Sequence, residues 1–298
     1  MMKPSAYFQY QLKRMLLRPR WLMIFPVVGF IAYLSSNAIA LVGSEYPPMD
    51  LTMLPDAFGI VTNQVNGWDA FFIAFGNLEY LVLGTLSLFL LCVSDILPES
   101  EFGNLALFRL GSRRRWWGVK SAVTLIVAAL YLALCMAIVF AAGVIRNGFD
   151  LNWSAFGASG TSILTPAMMK FGYTAPMRLA FIVFMMQTLG FWTLGMVMMI
   201  LTLRLGKPLW GYLAVMVLCA VTFPLEYALI NVPSLISILS PLRNLTMVYW
   251  AFPFRQGPIW WSFAYWLIWI AVLNLIGRKL CECVPLVSKH DSKEEGRA

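Results

Sequence analysis

Residues 119–144 read VKSAVTLIVAALYLALCMAIVFAAGV, and the only charge in the stretch is Lys120, next to its leading end. An α-helix rises about 1.5 Å per residue, so a run of this length crosses the roughly 30 Å hydrocarbon core of a bilayer. The stretch reads as a membrane span. Comparable apolar runs lie at 21–42, 69–93, 177–203, 209–230 and 259–276. The composition agrees: of 298 residues, 60% are hydrophobic and 12% charged, with a mean hydropathy of +0.74. A soluble domain carries about 25% charged residues. So little polar surface does not cover a water-soluble globule. The expected fold is an all-α integral membrane protein with six transmembrane helices.

The flanks of these runs orient them. Seventeen of the 22 Lys and Arg residues fall in segments 1–21, 95–120, 203–208 and 277–298. The other connecting segments, 44–68, 145–178 and 232–258, hold five. Positive residues mark the cytoplasmic side, which places both termini in the cytoplasm of a bacterial cell membrane. Residues 3–20 are basic and amphipathic, with Phe8, Leu12, Met15 and Leu16 on one face and Lys13, Arg14 and Arg18 elsewhere. Such a helix (domain segment 1–20) lies in the membrane plane with its cations at the headgroups. Leu22–Leu34 followed by Ala38-Ile39-Ala40 also has the look of a signal peptide and cleavage site. The long amphipathic leader favours an uncleaved first span instead. Arg204-Leu205-Gly206-Lys207-Pro208 makes a tight turn between the fourth and fifth spans, with Gly stopping one helix and Pro starting the next.

Segment 232–258 is apolar, but Pro233, Pro241 and Pro253 divide it into short pieces. Pieces of about ten residues do not span, so the segment is expected to form a re-entrant hairpin between spans five and six, in the outer leaflet. Residues 278–298 form a polar cytoplasmic tail.

The net charge of +8 does not indicate nucleic acid, because the cations sit beside the spans, where they meet anionic headgroups. The cysteines lie in spans or in the tail, and Cys281-Glu-Cys283 is too sparse for structural zinc. No disulfide framework, metal site or cofactor on this chain is expected. Gly157-Ala158-Ser159-Gly160 matches an intramembrane serine protease pattern, but the sole histidine, His290, is in the tail. There is no phosphate-binding loop, so the chain is not expected to be an enzyme. The sequons at Asn152 and Asn244 both fall in outer segments, where chance explains them in a bacterium.

Two carboxylates lie within apolar runs, Glu79 in the second and Glu226 in the fifth. Ionisable groups at that depth face a bundle interior or a wet cavity. Both fall in the outer half of their spans, where they are placed to share one cavity; the structural alternative is a glutamate locking two helices. Pro224 precedes Glu226 and is expected to kink the fifth span, as at a gate. Gly76 and Gly84 are expected to share one face of the second span, suited to close helix contact. Trp116, Trp117, Trp260 and Trp261 suit the interfacial belt, while Trp266 and Trp269 lie deeper.

The most informative connecting stretch is Ser94–Lys120, SDILPESEFGNLALFRLGSRRRWWGVK. Pro98, Glu99 and Glu101 start a short helix, because acidic residues favour a helix N-terminus. Phe102, Leu105, Phe108 and Arg109 then present an apolar and basic face, the kind of surface that serves a partner. A second interfacial helix lying on lipid is the alternative.

This layout resembles the membrane (permease) subunit of a bacterial ABC transporter of the type-two exporter family. The resemblance rests on the amphipathic leader, the six spans with both ends inside and the broken hairpin between spans five and six. It rests also on the loop that runs from Glu99 through Gly111-Ser112-Arg113-Arg114-Arg115-Trp116-Trp117-Gly118-Val119-Lys120. The resemblance implies that Glu99, Glu101, Phe102, Leu105, Phe108 and Arg109 dock on a nucleotide-binding ATPase subunit. It implies ATP and magnesium on that partner, and pairing with a second copy or a related permease. The implied activity is export of a hydrophobic or amphipathic cargo such as a lipid, drug or peptide. The outer segment 145–176 is longer than the family pattern, leaving room for a further extracellular role. Two other classes compete: a proton-coupled carrier using Glu79 and Glu226, and a non-transporting sensor, immunity factor or scaffold.

Overall fold

The computed structural model describes residues 3–45, 65–97, 110, 112–154, 175–228, 239–246 and 259–283, with the backbone alone for 39–45 and 224–228. Among the described residues every regular element is helical. The longer ones are α1 (Pro4–Leu16), α2 (Ile24–Glu45), α3 (Gly67–Gly76), α4 (Ser87–Val93) and α5 (Arg113–Asn147). They continue with α6 (Pro176–Leu205), α7 (Pro208–Ala228), α8 (Pro241–Leu245) and α9 (Ile259–Cys283). Segments Pro19–Ala38, Arg113–Asn147, Pro176–Leu205 and Ile259–Cys283 are long and apolar enough to cross a membrane. The pair Gly67–Gly76 and Tyr80–Ile96 makes a fifth if a bent pair is one span. The architecture is that of a multi-pass membrane protein.

Helix α5 is the centre of the bundle, packed by α1, α2, α3, α6 and α9. Its length follows from the absence of proline between 113 and 147, and Gly148, at φ 85°, ends it. Helix α6 runs antiparallel to α5. The Ser121 hydroxyl meets the Met196 sulfur, Tyr131 packs on Phe191, and Gly195 lets Thr124 and Phe89 approach its backbone. Gly206 (φ 76°) closes α6 through its N–H to Thr202 O, and Pro208 opens α7, as the turn sequence predicts.

The described parts of the four basic segments gather at one end of this bundle. Arg20 pairs with Asp95, Lys120 bonds Ile96, and Arg113 bonds the carbonyls of Cys281 and Glu282. Helix α6 ends beside them, since it runs on from Met196 to Leu205. Gly67, Gly143 and the 148–154 turn occupy the opposite end. There the N–H of Gly67 donates to Gly148 O, and Trp68 Nε1 donates to Asp150 O.

Two expectations, both about the second apolar run, are corrected below. Helix α1 buries Tyr7, Gln11 and Met15 against α5, while Phe8, Leu12 and Leu16 are only half-buried. Gln11 Nε2 donates there to the Tyr7 hydroxyl at 2.9 Å. The second apolar run is not one straight helix: it bends by 87° between α3 and Tyr80. Gly76 and Gly84 consequently lie on different helices and share no face. Gly84 makes a close approach, where an added Cβ would come 2.5 Å from Ile31 Cδ1 of α2.

Ser240 and residues 242–246 are buried, whereas Leu239 is exposed. Leu245 and the Trp266 indole both press on Gly190, near the middle of α6. Asn244, in the sequon, accepts from Ser262 Oγ at 2.8 Å and donates to Ser240 O at 2.8 Å. Trp266 Nε1 donates to Asn244 O at 3.0 Å, which accounts for a tryptophan so deep in α9. The helical backbone of α7 continues through Pro224 to Ala228.

Candidate functional site

Two places in the bundle combine unusual backbone with polar chemistry: the break after α3 and the corner where the 98–111 connection leaves the basic end.

The break begins outside it, at the clamped start of α3. Asn66 caps α3 by accepting from Trp68 N at 3.0 Å, and Asp69 Oδ2 accepts from Asn66 N at 2.8 Å. Asp69 Oδ1 also accepts from Ser154 Oγ at 2.7 Å, tying the helix to the turn after α5. From this anchored start α3 descends along α5 with Trp68 against Phe140, and stops at Gly76. Asn77 is extended (φ −74°, ψ 122°), and its Oδ1 accepts from the backbone N–H groups of Glu79 at 2.8 Å and Tyr80 at 3.2 Å. One side chain thereby ends one helix and caps the next.

A helix that ends inside a membrane leaves carbonyls that water does not reach, so neighbours must satisfy them. Gln187 of α6, fully buried, donates from Nε2 to Phe75 O at 3.0 Å. After the break, Tyr80–Leu86 is a π-helical stretch, whose wider turn displaces carbonyls from their usual partners. The Tyr131 hydroxyl of α5 donates to Thr85 O at 2.8 Å, and Thr85 Oγ1 donates to Leu81 O at 2.7 Å. Glu79 lies in the first turn after the break and is exposed. It is therefore at a corner of the bundle, not within a continuous span.

At the basic end, Lys120 is fully buried. Its ammonium donates to Ile96 O at 2.8 Å and lies 5.9 Å from the Tyr7 ring centroid and 5.6 Å from that of Trp116. A buried cation held by a carbonyl and aromatic faces joins α1, the end of the second apolar segment and α5. Beside it Arg20 donates to Leu91 O at 3.1 Å and Ser94 Oγ at 2.6 Å, and pairs with Asp95 at 3.2 Å. Arg18 lies 3.9 Å from Asp95. On the other side of the connection, Arg114 pairs with Glu282 at 2.6 Å, and Trp117 Nε1 donates to Asn274 Oδ1 at 3.2 Å.

The Arg20 and Asp95 side chains are 45% and 23% exposed, so their attraction is screened. A double-mutant cycle of Arg20→Ala and Asp95→Ala, read by denaturant unfolding, should give a coupling below about 1 kcal/mol. Arg20→Ala alone should cost more than Asp95→Ala, since it also removes the bonds to Leu91 and Ser94. Equal single effects would mean that those two bonds contribute nothing.

Of the residues singled out in the sequence, Glu99, Glu101, Phe102, Leu105, Phe108 and Arg109 lie outside the described residues. So do the side chains of Pro224 and Glu226, and no contact between Glu226 and Glu79 is described. Asn77, Gln187 and Tyr131 were not singled out, and Lys120 was read only as a charge at the edge of a span. Asn77 had a local signal, the Gly-Asn pair inside an apolar run, which is a helix-stop pattern. No group of three His, Cys, Asp or Glu side chains suited to a metal ion occurs among the described residues.

Comparison with known proteins finds no matching family model, no similar curated protein and no similar solved structure.

Proposed function

We propose that this chain is the permease subunit of an ATP-driven transporter of the type-two ABC exporter class. In this reading six spans carry both termini on the cytoplasmic side of a bacterial membrane, and residues 239–246 belong to a re-entrant segment. ATP and magnesium are handled by a separate ATPase subunit, and a second permease completes the complex. The cargo class is hydrophobic or amphipathic.

The observation that carries the reading is the frame around the 98–111 connection. One of its ends is pinned by Lys120 on Ile96 O and by Arg20 on Asp95. The other begins α5, tied to α9 through Arg113 and Arg114. A push on a connection held in this way reaches α1, the broken second segment, α5 and α9 together. That is the linkage an external motor needs, and a loop floating on lipid needs none of it.

The test is affinity purification of tagged protein from its native host in gentle detergent, beside Phe102→Ala/Phe108→Ala. An ATPase subunit is expected with the parent and should fall at least about tenfold with the variant, the loss expected when two buried aromatic anchors are truncated. Absence of any ATPase from the parent preparation, under conditions that keep other membrane complexes intact, would overturn the proposal.

The break after α3 favours a second reading, a cation-coupled carrier, because discontinuous helices hold ions in such proteins. It is separated from the first by transport that follows the proton gradient and persists without an ATPase.

A further inference from the structure

Helix α9 has one side exposed along its length, and the chemistry on that side changes at one point. Residues three and four apart on a helix are neighbours, so Ile268, Ala271, Leu275, Arg278 and Glu282 form one line along α9. All of them are exposed, as are Val272 and Lys279 beside the line. The opposite side, with Trp266, Ile270, Gly277 and Cys281, is buried in the bundle. Of the four segments long and apolar enough to span alone, α9 is the least buried. At the basic end Arg278 and Lys279 close the apolar line, one turn before Glu282, the one acidic residue of α9. Arg114 of α5 reaches the same line through its 2.6 Å contact with Glu282, and its side chain remains 70% exposed. Three cations thus stand around one carboxylate, which leaves a surplus of positive charge.

From Ile268 to Arg278 the helix rises about 15 Å, the hydrocarbon depth of one leaflet. A cationic cluster at headgroup level, continued by one leaflet of exposed apolar surface, is complementary to a phospholipid in both charge and length. We propose that the corner between α5 and α9 at the basic end is a binding site for one anionic phospholipid. Its phosphate lies against Arg114, Arg278 and Lys279, and an acyl chain runs along Leu275, Ala271 and Ile268. The surplus charge selects an anionic lipid, because a zwitterionic headgroup brings a cation with its phosphate and gains less from the cluster. Since Arg114 belongs to α5 and the other two cations to α9, the lipid bridges the two helices. It reinforces a joint otherwise made by Arg113 on the Cys281 carbonyl, the Arg114–Glu282 pair and Trp117 on Asn274. This is a single defined position, distinct from the diffuse attraction of every basic segment to a negative membrane.

The inference does not use the ATPase partner, so it is tested on the isolated chain and fails or stands apart from the proposed function. Thermal unfolding of the purified protein in detergent is followed while dioctanoylphosphatidylglycerol is titrated in, beside dioctanoylphosphatidylcholine and sodium phosphate. Phosphatidylglycerol should raise the melting temperature saturably, by about 3 °C or more, as for a ligand that binds the folded state alone. Phosphatidylcholine should give less than about half that rise, and phosphate none. Arg278→Gln/Lys279→Gln alters only exposed side chains, so it should keep the parent's melting temperature without lipid and lose most of the shift. Lys13→Gln/Lys207→Gln removes the same charge from exposed positions away from this corner and should retain the shift. Equal losses in the two variants, as for lipid drawn by net charge alone, overturn the proposal. So does an equal rise with phosphatidylcholine, a rise with phosphate that matches the lipid, or no rise at all. Light scattering on the same samples reads the other occupant of this face. A dimer that Leu275→Arg dissociates, with no shift from phosphatidylglycerol, assigns the face to a second copy and overturns the lipid site.

Discussion

Gly143→Ala lowers the melting temperature of the purified protein, whereas Gly118→Ala in the same helix leaves it unchanged or raises it. The contrast comes from what a methyl group would meet. At Gly143 an added Cβ would sit 2.9 Å from Gly67 O, 3.1 Å from Ala70 Cβ and 3.3 Å from Gly67 Cα. Two of these are backbone atoms of α3, so no rotamer change relieves the contact. The α3–α5 pair must separate, and with it the Asn66–Asp69 cap and the Ser154 tie shift. Overpacking of this kind costs about 1–3 kcal/mol. For a chain of this size that is roughly 2–10 °C. At Gly118 an added Cβ meets nothing within 4 Å. There alanine only removes the entropic cost of glycine in a helix, worth about 0.5–1 kcal/mol. Thermal unfolding in one detergent measures both. Equal behaviour of the two variants would show that α3 is not held against α5 as described.

Lys120→Ala is the second large effect, expected to destabilise by about 2–4 kcal/mol. Truncation removes a buried alkyl stem and leaves a cavity, and it strips Ile96 O of a charge-assisted hydrogen bond. Lys120→Met separates the two contributions, because it retains most of the volume and loses only the polar contact, which is worth about 1.5–3 kcal/mol. The functional consequence differs from that of Gly143. Losing the lysine frees the end of the second apolar segment from α1 and α5, so limited proteolysis near 98–111 should accelerate in both variants. If Lys120→Met cleaves at the parent rate, the lysine is a packing residue and does not pin the connection.

Much of the architecture was legible because membrane crossing is a local property. Twenty or so apolar residues must form a helix in lipid, whatever surrounds them, since the backbone has no other hydrogen-bond partner there. Val119–Val144 is embedded in α5, and 259–276 and 177–203 in α9 and α6, each helix running a few residues beyond the apolar core. The Gly206-Lys207-Pro208 turn was equally local, since a positive φ and a missing N–H act on the residues that carry them. Charge asymmetry foresaw that the described parts of the four basic segments share one end. It did so because orientation depends on which side each segment emerges, not on side-chain contacts.

The candidate site was only half legible. Glu79 stands out in any apolar run, yet its surroundings do not. Within 69–93 the apolar residues outweigh Asn77, and a periodic reading extends one helix through it. A break at that depth survives only if distant side chains satisfy the freed carbonyls. Those are Gln187 on Phe75 O and Tyr131 on Thr85 O, separated along the chain by 112 and 46 residues. Lys120 shows the same limit: the sequence marks it as a membrane-edge cation, but only the packing of Tyr7 and Trp116 makes it an internal anchor. The sequence alone determined that this chain crosses a membrane several times and which segments lie together at its basic end. Tertiary structure alone decided where a span breaks and which polar groups face one another, because hydrogen bonds between remote helices leave no local pattern.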